Sequence, residues 1–187
     1  MEKKNQQKGV TLIEMLVVTA IFLILIEAIL GVFISNVRVQ RRILKTQEQL
    51  DQLSYALDYM SRTLRMAKKD STGKCLSMTG KNYYIQFDES DQPSIIQFLN
   101  SEGHCQQFKL NNFEIALRTS SDNDQANLGG AQPLTSKSSF RVTSQRFNLI
   151  GDDDNSQPRV TIFLEAEISE GKKITLQTSI SQRDIKK

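Results

Sequence analysis

Glu14 and Glu27 are the side chains of this sequence whose surroundings most demand a chemical reason. Both interrupt the run VTLIEMLVVTAIFLILIEAILGVFI at residues 10–34, which is otherwise almost wholly apolar. A carboxylate in a bilayer-spanning tract costs at least about 2–3 kcal/mol, so it needs a cationic partner, a neighbouring helix or an aqueous outlet. Glu14 lies near the start of the tract, where its side chain can also reach towards the headgroups. Other reactive groups are sparse. His104 is the one histidine, and no serine or cysteine stands with it and a carboxylate as nucleophile, base and orienter. The expectation is therefore a chain without catalysis of its own and without a cofactor. Asp152, Asp154 and Ser156 in GDDDNSQ offer hard oxygens at alternate positions, a candidate calcium loop. The twelve-residue frame with a distal bidentate Glu is missing, and a solvated connection between strands is the competing account. Cys75 and Cys105 either form one disulfide, closing a loop of about 30 residues worth roughly 3–4 kcal/mol, or remain two buried thiols. Zinc does not suit them, because the only nearby ligand, His104, adjoins Cys105 too closely to share a tetrahedral site with it.

These groups depend on the elements that carry them. At 1.5 Å rise per residue, about 25 apolar residues cross a hydrocarbon core of about 30 Å. Ahead of the tract stands the polar leader MEKKNQQKG, with Lys3, Lys4 and Lys8. A secretory signal would place a small-x-small cleavage site after the apolar run; none is there, and Arg38 follows, so the tract is expected to be retained. Arg38, Arg41, Arg42 and Lys45 balance the leader lysines, so the bias of basic residues does not orient the segment.

The residues GVTLIEMLV at 9–17 resemble the signature of type IV prepilin-like proteins, the class III signal peptide: a basic leader ending in Gly, a Thr-Leu-Ile-Glu run, and Glu as the fifth residue after the cut. Gly9 matches the residue before the cut, Thr11, Leu12 and Ile13 match the run, and Glu14 matches the acid; Val10 stands where Phe is usual. The resemblance implies cleavage between Gly9 and Val10 by a prepilin peptidase on the cytoplasmic side, and N-methylation of Val10 by the same enzyme. It also implies a new ammonium on Val10 that pairs with Glu14, in trans during filament growth or within the subunit. The implied partners are the prepilin peptidase, the lipid bilayer, an inner-membrane assembly platform, and other pilin or pseudopilin subunits through the N-terminal helix. The implied location is a single pass of the cytoplasmic membrane with the head outside, then a cell-surface or periplasmic filament. A second run, LDYMSRTLRMA at 57–67, resembles the stem of minor pilins and minor pseudopilins. The function expected is a structural subunit of a type IV pilus-like or type II secretion filament, in a minor, priming or accessory place. A major subunit is the rival within the family, and a signal-anchored binding protein that never polymerises is the rival outside it.

No Pro or turn cluster interrupts residues 10–69, and Gly31 alone weakens helix there, which predicts one helix of about 60 residues and about 90 Å. Ile43, Leu50, Leu53, Leu57, Met60, Leu64 and Ala67 form one stripe, expected to lie on a sheet rather than in a coiled coil. Beyond Asp70 the period falls to two, at 83–88, 94–99, 105–110, 113–119, 140–150, 159–168 and 173–181, with hairpin glycines at Gly103 and Gly171. The expected class is α+β: a long N-terminal helix, half transmembrane and half amphipathic, packed on an antiparallel β head of pilin-like form. The expected divisions are the leader at 1–9, the membrane and assembly half at 10–36, the amphipathic half at 37–69, and the head at 70–187 with a mobile loop at 120–139. Hydrophobic content of 39% and charged content of 24% suit such a folded head. The net charge of +3 comes from bases mixed with acids along the chain, and no nucleic-acid site is identifiable.

Overall fold

The computed structural model describes residues 9–151, 156–168 and 171–183. Helix α1 runs Leu12–Arg65 without a break, as the absence of an internal Pro allows. The chain divides into two compact units after Lys45. In the first, α1 has no cover: Leu12 is 84%, Ile13 70% and Phe33 63% exposed. A helix that is apolar all round and uncovered is suited to lipid or to other helices, because water would penalise every one of these side chains. Among the described residues it is the one helix long and apolar enough to cross a membrane.

The second unit, from Thr46 onward, is the head. Strands β1 (Tyr83–Gln86), β2 (Ile95–Leu99), β3 (Cys105–Asn111), β4 (Glu114–Thr119) and β5 (Gln132–Pro133) form an antiparallel sheet in that order. Strands β6 (Arg141–Ile150), β7 (Arg159–Glu167) and β8 (Lys173–Ser181) form a second antiparallel sheet. The α+β class and all the expected strands are present. Their division into two sheets was not expected, because alternation tells which face is buried and not which strand is the neighbour. The sheets meet where the Val142 N–H donates to Phe113 O at 2.9 Å and the Phe147 N–H donates to Pro93 O at 2.7 Å. Leu53, Ala56, Met60 and Leu64 of α1 join one core with Phe98 and Phe108 of the first sheet and Phe147, Ile162 and Leu164 of the second.

The helical stripe differs from the expected one at its start. Leu53, Met60, Leu64 and Ala67 are buried as expected, but Ile43 is 50% exposed, and Ala56 and Gln49 take central places. A strict seven-residue spacing drifts by about 20° per heptad on a 3.6-residue helix, so three heptads carry Ile43 off the face that holds Leu64. The helix also ends at Arg65 rather than Lys69. Lys68 N–H already donates to Leu99 O and Asp70 N–H to Lys81 O, each at 2.8 Å, so the backbone has joined the sheet side. The last helical carbonyls find other donors: the Tyr83 hydroxyl reaches Leu64 O at 2.6 Å, and the Arg183 N–H reaches Arg65 O at 2.9 Å.

The outer face of the first sheet is covered by residues 70–79, and Asp70 organises that cover. Its carboxylate accepts the N–H groups of Thr72, Gly73, Cys75 and Leu76 and the Thr72 hydroxyl, at 2.9–3.0 Å. Burial pushes the Asp70 carboxyl up, but the Leu76, Thr72 and Gly73 donors outweigh it and hold it below the ordinary 3.8. The loop so shaped brings Cys75 to Cys105, and the two form a disulfide. Gln97, on β2 beneath the loop, donates to Cys75 O and to Gln125 Oε1, and its own Oε1 accepts from Gln86 and Gln107. Replacing both cysteines by Ser is expected to lower stability by about 3 kcal/mol, through the loop-closure entropy returned to the unfolded chain. The check is the midpoint of urea unfolding in detergent; no change in midpoint would mean the bridge adds nothing to what Asp70 already holds.

Residues 120–139 carry structure that their lack of periodicity hides. They contain a 3-10 turn, Gln125–Asn127, and the short strand β5. Asp124 caps the turn by accepting the Ala126 N–H. Arg118 donates to Gly129 O and Leu128 O at 2.8 and 2.9 Å, and the Thr135 hydroxyl accepts the Ile115 N–H at 3.0 Å. Side chain to backbone bonds of this kind leave no periodic trace in sequence.

Candidate functional site

The candidate site is the start of α1. Gly9, Val10 and Thr11 lie outside the helix, which begins at Leu12. Thr11 is the N-cap: its hydroxyl accepts the Glu14 N–H at 3.4 Å, and its carbonyl accepts the N–H groups of Glu14 and Met15 at 3.1 and 3.2 Å. Thr followed three residues later by Glu is the spacing of a capping box, in which the acid sits in the first turn beside the positive end of the helix dipole. This local role of the Thr-Leu-Ile-Glu run is readable from its spacing. A peptide bond must leave the helix to enter a protease, and the bond between Gly9 and Val10 is already outside it. Val10 is 65% exposed, and a side chain added at Gly9 would meet nothing within 4 Å. Bond and acid therefore sit within about one helical turn, with the cap between them.

Glu27 projects from the apolar part of α1 and has no hydrogen bond or ion pair with a described residue. It is not brought to Glu14. Lys3, Lys4 and Lys8 lie outside the described residues, as do Asp152 and Asp154; Ser156 is described and exposed. No group of three or more His, Cys, Asp or Glu side chains placed to hold a metal occurs among the described residues. His104 lies in the β2–β3 connection with its Nδ1 3.9 Å from Glu102. Asp70 was not singled out from sequence, although Asp-Ser-Thr-Gly at 70–73 is the composition of a side-chain-stabilised turn.

Residues 4–30 match the family described as the prokaryotic N-terminal methylation motif. The N-terminus is type IV prepilin-like. The match covers residues 4–9 of the polar N-terminal run, the Gly9–Val10 bond, Glu14 and Glu27, and it ends inside the exposed apolar stretch of α1. The motif is that of a prepilin-peptidase substrate of pilin type, a family of structural subunits, and with the uncovered apolar helix it supports a membrane-anchored chain exposed outside the cytoplasm. No curated protein and no solved structure matches the chain.

Proposed function

We propose that this prepilin-like chain is a structural subunit, of minor rank, in a type IV pilus-like or type II secretion filament. Its maturation is a cut between Gly9 and Val10 followed by methylation of the new Val10 amine. The observation that carries this reading is the match at residues 4–30, which runs into a helix whose apolar side chains have no cover. Until assembly those side chains face lipid; in a filament they face the same helix of other subunits. Glu14 then meets a Val10 ammonium, and the carboxylate that disfavours lipid becomes an attraction between subunits. The run at 57–67 and a head with eight strands among its described residues favour the minor place over a compact bulk subunit.

The test is the intact mass of the full chain expressed with and without a prepilin peptidase. Loss of residues 1–9, with one methyl group added, is the expected result, and Gly9→Val should block it. A chain left at full length by an active peptidase would favour the signal-anchored binding protein instead.

A further inference from the structure

Past the candidate site, α1 carries a second charge pattern. Arg38, Arg41 and Lys45 are exposed, three and then four residues apart, and make no ion pair with a described residue. Glu48, Asp51 and Tyr55 are exposed too and repeat that spacing, again without an ion pair to a described residue. Every member of the second row therefore lies ten residues beyond its counterpart in the first. At 3.6 residues per turn each row spans about 60° of the helix circumference, and ten residues rise about 15 Å. Asp51 and Tyr55 also line a groove of about 500 Å³ whose other wall includes Glu114 and residues 133–136. The Glu114 carboxylate accepts the Lys137 backbone N–H at 2.8 Å, and that is its one side-chain hydrogen bond among the described residues.

We propose that this groove and the acidic row receive the 38–45 stretch of a second copy of the chain, parallel and displaced by ten residues. Arg38 then faces Glu48, Arg41 faces Asp51, and the Lys45 ammonium lies over the Tyr55 ring. The inference rests on the filament reading and deepens it by naming the contact outside the apolar core. One exposed ion pair contributes little, but two in register with a cation–π contact act together and reject other alignments. A displacement of seven residues keeps only Arg41 with Glu48 and sets Arg38 against Lys45, a like-charge pair. The ten-residue displacement also brings Glu27 of the second copy level with Val37 of the first, one residue from that copy's Arg38. Anionic lipid headgroups are the other sink for the cations, but they would make no use of the acids ten residues on.

The test is cross-linking in membranes of cells expressing the full chain with a prepilin peptidase. Both native thiols are engaged in the Cys75–Cys105 disulfide, so co-expressed K45C and Y55C chains report on the introduced pair. Mild oxidation is expected to link positions 45 and 55 about tenfold more than 45 and 54, whose side chain leaves the helix about 100° round from that of 55. Adding R41E to the K45C chain should reduce the link about fivefold, and adding D51R to the Y55C chain should restore it. Equal linking at 54 and 55, or a loss that D51R does not reverse, overturns the interface. So does an R41E effect confined to weaker binding of anionic vesicles. Intact masses from the same membranes separate the two readings: a trimmed chain without the register-specific link sinks the interface alone, and an untrimmed chain sinks the filament reading.

Discussion

Glu14→Ala is expected to leave removal of residues 1–9 intact and to cut the share of mature chain in sheared filaments by at least about tenfold, about 1.4 kcal/mol or more. Trimming should survive because the groups around the Gly9–Val10 bond do not need the carboxylate: Thr11 holds the cap through its hydroxyl and carbonyl. Assembly should fail because the cut adds an ammonium to a helix end that already presents unpaired N–H groups and the positive pole of the dipole. Glu14, one turn along, is the nearest acid to that charge. Without it each subunit would carry an uncompensated cation into an apolar bundle, and breaking a buried pair from one side costs about 3–5 kcal/mol. Glu14→Gln keeps shape and polarity and should assemble as poorly as the Ala variant, which isolates charge as the cause. Filament content equal to the wild type in either variant would sink the charge-pair mechanism, whatever the state of trimming.

Asp70→Ala is expected to destabilise the head by about 4 kcal/mol. The substitution strands four backbone N–H groups, those of Thr72, Gly73, Cys75 and Leu76, the last two of them buried. A buried donor left without a partner costs about 1–3 kcal/mol, and the two exposed to some water add less. Asp70→Asn retains an acceptor but turns an amide donor towards other donors, and about half the loss should follow. The same site sets a pH dependence. Its folded pKa lies below the ordinary 3.8, so its contribution is complete above that value and drains away as pH falls through the depressed folded value. The wild-type urea midpoint should therefore fall below pH 4 by more than that of Asp70→Asn, which has no proton to take up there. Parallel acid profiles for the two proteins would show that the carboxylate is not the acid-sensitive group.

The motif at the N-terminus was legible because it is written in consecutive residues. Gly9, Val10, Thr11 and Glu14 act over one turn of chain, and the apolar run behind them needs only composition and length to be recognised. The strands were legible for a similar reason, since alternation is a property of a few neighbouring residues. Ile43 shows where that reasoning fails: a spacing of seven looks like one face on paper, but the pitch of the helix rotates it out of the core by the third repeat. Residues 120–139 show another failure. Gln125 and Thr135 are held by Gln97 and Ile115, partners far along the chain, and composition alone cannot distinguish such a segment from a solvated loop.

By itself the amino-acid order determined that a methylation-motif sequence leads into an apolar helix long enough to cross a membrane, and that helix gives way to strands near Asp70. Each of these depends on side-chain chemistry within a turn or a strand, the range over which local energies act. Tertiary structure decided that the strands form two sheets, that Asp70 shapes the cover over the first, and that Cys75 meets Cys105. Those outcomes depend on groups distant in sequence satisfying one another's hydrogen bonds and filling one another's volume, conditions that only the folded chain meets.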